Sequence, residues 1–337
     1  MHLSCFQHEF LNEGKLIPVN RHLDAPELES ALEVYSPDVI ISYGYIQKFQ
    51  RRAVNWAVKN NKKVFYISDS EYAHKTLYLK EYIKRIFLKN YFKHVDIFLT
   101  VGNHNEQYYC WMGIPMQKLI RNGFPIDVKH MQIAYDERLI KRKSLRDSLG
   151  IEEDEIVITQ VGKILDHKRQ QDIIHVLLEL EKKPTIRFTS FIIGSGAGLN
   201  LIKELSNKLK HNRVIFTGFI YPEDLSDYLA ATDIYVHPAS IEPHSLSISE
   251  AIYMGCPAII SNRCGSHGPT DDVQSGKNGF IYECGSIDQL KGYLLKLGKN
   301  FTMRNNFSKN SHEFALRTQS LAHGDGLQAA LIATGLL

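Results

Sequence analysis

Short apolar runs alternate with amphipathic stretches along this chain, and each apolar run has the length of one β-strand. In the first third of the chain the predicted elements are strands at 38–45, 63–68 and 96–102, helices at 51–60 and 77–92, and a short strand within 113–127. The run DVIISYGY at 38–45 is apolar enough to predict a buried strand. Because strands that alternate with helices form parallel sheets, the pattern predicts a small, mainly parallel domain.

A charged stretch at 131–154 has no strand-like run and predicts a connector that leads into a second domain. Beyond it, the predicted strands lie within 155–163, 187–198, 213–219, 233–240, 256–262 and 279–282, and the predicted helices at 169–180, 199–210, 222–232 and from about 247. We therefore expect an α/β fold of two Rossmann-like, doubly wound domains that face a central cleft. The expected boundaries are 1–130 for the first domain, 155–300 for the second and 301–337 for a helical segment.

The composition is that of an ordinary globular protein, with 44% hydrophobic and 23% charged residues among 337. A formal charge of +3 is too small to indicate a nucleic-acid partner. Five widely spread cysteines include no C-x-x-C pair, so we expect reduced thiols in a cytoplasmic protein. The N-terminus has no signal-peptide pattern, and no run reaches the roughly 18 apolar residues of a membrane span.

The segment IEPHSLSISEA at 241–251 places two glutamates, Glu242 and Glu250, around a row of serines at the start of a predicted helix. Ser247 and Glu250 match the S-x-x-E capping box, in which both residues only start the helix. A helix N-terminus also binds anions, because its first N–H groups are free and its dipole is positive there. On that interpretation a diphosphate binds the N–H groups, Glu250 accepts ribose hydroxyls, and Glu242 lies near the group that the diphosphate carries.

Several blocks of the second domain resemble glycosyltransferase family 4, whose members are retaining enzymes of the GT-B fold. The block HPASIEPHSLSISEAIYMGCPAIISNRCGS resembles the donor-domain signature, and Glu242 and Glu250 fall on the two glutamates of its E-x7-E motif. VGKILDHKRQQDII resembles the loop G-R/K-x4-K, with Lys163 and Lys168 on the two basic positions. FIIGSGAG, FTGFIYPEDLSDYLAATDIYVHPA and GKNGFIYECGSIDQL follow in the expected order. The resemblance is strong over 155–295 and weaker over 38–127.

The resemblance implies a metal-independent hexosyltransferase that moves a sugar, with retention, from a nucleotide-diphosphate sugar to a glycan or lipid-linked acceptor in surface-glycan synthesis. Lys163, Lys168 and the helix N-terminus would stabilise the leaving diphosphate, so neither a cofactor nor a D-x-D metal motif is expected. The adjacent pair Asp271 and Asp272 is predicted to cap a helix instead. The implied donor site comprises Gly162, Lys163, Lys168, Gly194, Gly218, Phe219, Glu242, His244, Ser245, Leu246, Ser247 and Glu250.

In the first domain, the resemblance makes Asp69 a candidate for holding the acceptor or the donor sugar, and Glu242 would bind donor sugar hydroxyls. His74 and His104 are further candidates, although an unpaired histidine is more often a surface or packing residue. Gly218 and Phe219 would contact the base through backbone groups.

Two departures from the family pattern affect these assignments. His244 and Ser245 stand where the family usually has an aromatic residue and a glycine; His244 is either a contact to the sugar or an exposed loop histidine. The family also begins with a strand, a glycine-rich loop and a helix before anything like FQHEFLNEG at 6–14. An internal start, a natural short form and completion by another polypeptide all account for this.

Other functions compete with glycosyl transfer. GSGAG at 194–198 lacks the third glycine and the following acidic residue of a dinucleotide site, so a dehydrogenase is not expected. A GT-B sugar-nucleotide epimerase and a non-catalytic chain that binds donor or a partner subunit stay open. The predicted helix at 77–92 is basic and amphipathic, so it either faces the core, as the commoner case, or makes peripheral contact with anionic lipid at the inner face of a membrane.

Overall fold

The computed structural model describes residues 24–71 and 78–337, and within these ranges the chain forms two parallel β-sheets with helices on their faces. The strands are β1 (Val39–Tyr43), β2 (Lys63–Ile67), β3 (Ile97–Thr100), β4 (Leu119–Arg121), β5 (Ile156–Val161), β6 (Phe188–Ile193), β7 (Arg213–Gly218), β8 (Ile234–His237), β9 (Ala258–Ser261) and β10 (Gly279–Tyr282). The helices are α1 (Leu28–Tyr35), α2 (Lys48–Lys59), α3 (Tyr78–Phe92), α4 (Asn103–Met112), α5 (Val128–Asp136), α6 (Arg138–Ser148), α7 (Gln171–Glu181), α8 (Leu199–Ser206), α9 (Pro222–Ala231), α10 (Leu246–Tyr253), α11 (Ile287–Lys299), α12 (Phe301–Ser320) and α13 (Gly326–Ala333). This is the predicted two-sheet α/β architecture.

The first sheet has the order β1-β2-β3-β4 among the described residues. Aromatic side chains pack its core, with Tyr66 of β2 and Phe98 of β3 in edge contact at 5.7 Å. The prediction of a buried strand at 38–45 is correct as to the strand but wrong as to its burial, because Ile41 and Tyr43 of β1 are 49% and 56% exposed. Since β1 pairs only with β2, it is an edge strand of the sheet that the described residues form.

The second sheet has the order β10-β9-β8-β5-β6-β7 within the described residues. The chain runs from β5 outward to β7, then returns to the other side of β5 and continues outward from β8. The direction of winding therefore reverses between β5 and β8. In open parallel sheets the crevice at such a switch point, beyond the carboxyl ends of the two strands, is the usual ligand site.

The predicted connector at 131–154 is largely helical and packs on the second domain. Met131 and Ala134 of α5 lie in the hydrophobic core of that domain. Arg146 of α6 is 5% exposed, pairs with Asp233 and donates to the carbonyl of Glu155. Arg146, one of the charged residues that suggested a connector, therefore attaches α6 to the second domain.

The C-terminal helices connect the two domains a second time. Helix α12 packs against α10 of the second domain. After a break at Gly324, whose φ of 140° favours glycine, α13 returns to the first sheet, where Ala330 is buried beside Phe65 and Leu99. This return lies next to the first crossing, because the Nε2 atom of His323 is 2.9 Å from the carbonyl oxygen of Ile126.

Helix α3 turns much of its apolar surface to solvent. Leu88 and Phe92 pack in the core of the first domain. Four other large side chains are between 56% and 62% exposed: Tyr82, Ile83, Ile86 and Phe87. The favoured prediction of an apolar face directed at the core is therefore wrong for these four residues. No helix in the described part of the chain is long and apolar enough to cross a bilayer.

Candidate functional site

The loops that follow β5 and β8 meet at the switch point of the second sheet and bring a lysine and a glutamate together. The Nζ atom of Lys168 pairs with Oε2 of Glu242, and the two side chains are 17% and 12% exposed. The backbone N–H of Ser240 donates to the carbonyl of His167 at 2.7 Å and fixes one loop on the other. Two residues that are far apart in sequence thus form one ion pair at the mouth of the crevice.

His237, at the end of β8, is a member of this site that the sequence did not single out. Its Nε2 atom lies 3.0 Å from Oε2 of Glu242. Burial lowers the pKa of His237 although Glu242 opposes the shift, so the imidazole is neutral and donates through Nε2. Burial raises the pKa of Glu242, but hydrogen bonds from His237 and Lys168 outweigh this and lower it, so its carboxylate is ionised. The available signal was a histidine at a strand end, five residues before Glu242.

Lys163 differs from Lys168 in its surroundings. Its side chain is exposed and has no partner among the described residues. Its carbonyl accepts a hydrogen bond from Nε2 of Gln170 at 2.9 Å, which holds the loop in place. The loop therefore carries one paired and one unpaired ammonium group.

The glycines of GSGAG pack the loops after β5 and β6 together. A Cβ atom on Gly194 would lie 2.1 Å from the carbonyl oxygen of Gly162, and one on Gly196 would lie 2.2 Å from that of Ile164. Gly194 donates its N–H to Gly218 at 2.7 Å. Close packing of the two loops therefore explains why glycines stand at these positions. Phe219, which follows Gly218 beside the same loops, is 67% exposed.

Helix α10 begins at Leu246. A capping box with Ser247 as the N-cap would require the helix to begin two residues later, at Ile248. Its N-cap is Ser245, without a side-chain cap, and the Ser247 hydroxyl lies 2.7 Å from that of Tyr235. The prediction that Ser247 and Glu250 form a capping box is therefore wrong. The N–H groups of Leu246 and Ser247 make no hydrogen bond with any described residue, so this helix end presents free donors.

Glu250, in the second turn of α10, has no side-chain partner within the described ranges. Burial raises its pKa from 4.5 to about 7. Burial also raises the pKa of the Tyr235 hydroxyl, and the charges of Glu250 and Glu242 both add to that shift. The two motif glutamates therefore act on one buried group from the same site.

Residues of the first domain face this site across the cleft. The ring of Phe124 lies 5.5 Å from that of His244, and the charge of Asp69 also acts on His244. His244 is half-buried and is therefore not the exposed loop histidine of one interpretation. His104 contacts His267 at 4.4 Å between ring centroids. His74 lies outside the described residues.

Solved structures identify the fold. The fold is that of GT-B glycosyltransferases: solved structures of a glycosyltransferase from Rickettsia africae and of HepE from Anabaena in complex with UDP superpose with TM-scores of 0.72 and 0.67. They cover 96% and 93% of this chain, which covers 84% and 83% of theirs, at 14% and 17% identity.

Residues 141–314 match the family model of glycosyl transferases group 1, and the chain belongs to that family. It is 26% identical over 191 residues to an uncharacterised glycosyltransferase of Methanocaldococcus jannaschii, an alignment that covers 56% of this chain and 47% of the relative. It is 27% identical over 176 residues to the alpha-monoglucosyldiacylglycerol synthase of Acholeplasma laidlawii, covering 50% of this chain and 41% of that enzyme. The chain thus spans less than half of the length of these two curated relatives.

Proposed function

We propose that this chain is a retaining glycosyltransferase of family 4 that transfers a sugar from a nucleotide-diphosphate sugar to a glycan or lipid-linked acceptor. The observation that carries the proposal is the Lys168–Glu242 ion pair beside the free N–H groups of α10, at the switch point of the second sheet. A site with cations, free backbone donors and carboxylates matches a ligand that combines a diphosphate with sugars. HepE binds UDP, and one relative in Escherichia coli acts on a diphosphoundecaprenol acceptor, which supports both substrate classes.

The chemical difficulty of the reaction is the charge that develops on the diphosphate. The bond between the anomeric carbon and the phosphate oxygen breaks, and its electron pair stays on that oxygen. The acceptor hydroxyl bonds to the anomeric carbon from the same face, and its proton passes to the departing oxygen. Lys163, Lys168 and the α10 N–H groups stabilise that charge, which makes a divalent metal unnecessary.

The two glutamates have separate tasks in this proposal. Glu250 lies one turn beyond the diphosphate position and accepts hydrogen bonds from the ribose hydroxyls. Glu242, held ionised by His237 and Lys168, accepts from the hydroxyls of the transferred sugar. Asp69 flanks the sugar from the first domain, and His244, on which the charge of Asp69 acts, flanks it from the second.

The first test is a thermal-shift panel of nucleoside diphosphates and their sugars. A ligand at 100 times its dissociation constant stabilises the folded state by about 2.7 kcal/mol. The preferred ligand should shift the melting temperature of the wild-type chain, and Glu250→Ala and Lys168→Ala should abolish the shift. Full retention of the shift in both variants contradicts the assigned pocket.

Product analysis then separates transfer from the alternatives. With donor and acceptor present, the anomeric configuration of the product, read by NMR coupling constants, should equal that of the donor, and EDTA should leave the rate unchanged. Conversion of the donor sugar without an acceptor would instead identify an epimerase. Donor binding without any turnover, restored by a second polypeptide, would identify a donor-binding subunit.

We also infer that the exposed face of α3 makes peripheral contact with anionic lipid. The four exposed apolar side chains at Tyr82, Ile83, Ile86 and Phe87 are followed on the same helix by the exposed Lys89. Apolar side chains that insert into a bilayer, together with lysines that meet its negative surface, are the pattern of interfacial helices. This contact would bring the first domain to a lipid-linked acceptor.

Liposome flotation tests this contact. The wild-type chain should float with anionic vesicles and not with neutral ones, and added salt should reduce the binding. Phe87→Glu should abolish flotation, whereas Ile140→Glu, at a residue of α6 that is 74% exposed, should not. Equal flotation of both variants contradicts the inference.

A further inference from the structure

The loop that follows β9 in the second domain binds the first domain through one buried carboxylate. Asp271 is 3% exposed. Both of its oxygens lie 3.0 Å from the backbone nitrogen of Asn103, the first residue of α4. Its Oδ1 atom also accepts a hydrogen bond from Nη1 of Arg121, on β4, at 2.6 Å. Of the predicted pair of helix caps, Asp271 does cap a helix, although that helix belongs to the other domain, whereas Asp272 accepts from side-chain hydroxyls instead.

Neighbouring contacts keep these groups in register. Oδ1 of Asn103 accepts the N–H of Thr270 at 3.1 Å. Nε of Arg121 donates to Oε1 of Glu106, on α4, at 2.9 Å. A Cβ atom on Gly268 would lie 2.2 Å from Oδ1 of Asn103, so the Gly268 backbone packs directly against the Asn103 side chain. The contact is thus a network of polar groups across a tight interface.

The same loop is attached to the helix that carries Glu250. Oδ2 of Asp272 accepts from the hydroxyl of Ser249, on α10, at 2.6 Å. Whatever fixes the loop to α4 therefore also fixes α10 relative to the first domain.

We propose that Asp271 is a positioning residue: its bonds to the α4 N-terminus and to Arg121 set the spacing of the two domains across the cleft. The physical basis is that a carboxylate at a helix N-terminus gains from the free N–H groups and from the dipole, and that hydrogen bonds to charged groups are stronger than neutral ones. In an open cleft these groups bind water instead. The part of the proposal that concerns catalysis rests on the proposed glycosyl transfer, because the spacing sets how Asp69 of the first domain meets a sugar held at Glu242.

Substitutions at Asn103 make it possible to remove the backbone hydrogen bond to Asp271 without changing Asp271 itself. Proline is well tolerated at the first position of a helix, and the extended Gly102 before it, with φ of −175° and ψ of 172°, is compatible with a following proline. Asn103→Pro removes the N–H and the side-chain amide, whereas Asn103→Ala removes only the amide. The difference between the two variants reports the bond to Asp271.

The experiment is small-angle scattering of the full chain with saturating nucleoside diphosphate, together with hydrogen exchange of the peptide that covers α4. Asp271→Asn and Asn103→Pro should increase the radius of gyration, and Asp271→Asn should speed exchange at the first turn of α4, relative to wild type and Asn103→Ala. The control is Asp233→Asn, which weakens a buried carboxylate–arginine contact within the second domain and should change stability only.

Kinetics supply the second readout. Misplacement of reacting groups by about 1 Å costs up to about 100-fold in rate, so we expect kcat to fall about tenfold to 100-fold in Asp271→Asn while the donor dissociation constant stays unchanged. The proposal is overturned if Asp271→Asn and Asn103→Pro both have the radius of gyration of the wild type. It is also overturned if the domain spacing changes while kcat does not. If the chain transfers no sugar at all, the proposed function fails while scattering still decides whether Asp271 sets the spacing.

Discussion

The imidazole of His237 and the carboxylate of Glu242 form a buried pair, with Nε2 and Oε2 3.0 Å apart, directly behind the ion pair to Lys168. His237 is 1% exposed, so it cannot contact a large ligand and acts through Glu242. It orients the carboxylate and helps to keep it ionised.

Replacing His237 should weaken the reaction through Glu242. In His237→Leu, Glu242 loses a hydrogen bond to its charged form; such bonds contribute about 1.5–3 kcal/mol, so we expect roughly a tenfold or larger loss of kcat/KM. Because His237 lowers the pKa of Glu242, its removal should also move the acidic limb of the pH–rate profile to higher pH. A lower rate with an unmoved acidic limb would show that His237 does not tune Glu242.

The two lysines should differ in their effect on stability. Lys168→Met leaves the Glu242 carboxylate with one partner fewer, which should lower the free energy of unfolding by about 1–3 kcal/mol. Lys163→Met removes an exposed side chain without a partner in the described chain and should stay within about 0.5 kcal/mol. Both variants should weaken nucleoside-diphosphate binding. Denaturant titration and calorimetry of the same samples separate the two effects; equal stability losses would contradict the difference in burial.

Glu250 should make stability depend on pH. Its pKa is raised from 4.5 to about 7 in the folded state, so the folded chain holds a proton that the unfolded chain has lost between these values. Its contribution to stability is therefore present below about pH 4.5 and is lost as pH rises to about 7, a decrease of about 3 kcal/mol.

The variant Glu250→Gln isolates this effect. It should be more stable than wild type at pH 8 and should approach wild type near pH 4.5, while losing the thermal shift from the nucleotide. Thermal unfolding across that range is the measurement. A constant stability difference between the two proteins at every pH would show that Glu250 titrates normally.

The loop packing at Gly194 should be intolerant of a side chain. With φ of +132° and a Cβ position 2.1 Å from the carbonyl oxygen of Gly162, Gly194→Ala forces backbone movement and should cost about 1–3 kcal/mol or more. Gly292 of α11 is the matched control, since a Cβ atom there meets nothing within 4 Å. Gly292→Ala should stabilise the protein by about 0.5–1 kcal/mol. Chemical denaturation of both variants decides, and a neutral Gly194→Ala would contradict the close approach.

Local pattern predicted the fold well because strand and helix periods, and the alternation of the two, are local properties. The prediction failed where contacts with residues distant in the sequence determine burial. The apolar run at 38–45 does not reveal that β1 has a strand on one side only among the described residues. The helical period of α3 shows that it has apolar positions but not which of them meet the core.

The candidate site was likewise predicted in part from local spacing and missed in part where distant contacts matter. The spacing of Lys163, Lys168, Glu242 and Glu250 is visible in the sequence, whereas the capping-box match failed because the Ser247 hydroxyl contacts Tyr235, a partner from another strand. The contact of Asp271 with Asn103 joins residues 168 positions apart, and no spacing rule reaches that far.

The side-by-side crossings near Ile126 and His323 determine how the cleft is able to open. Two covalent links that were far apart would hold the domains against turning, and a single link would allow swivelling in every direction. Because these two lie next to each other, bonded through the His323 ring, we expect them to act as a common pivot. We therefore expect the two domains to separate by rotation about this pivot. The displacement should be largest at the part of the cleft farthest from the pivot, with little translation of one domain along the other.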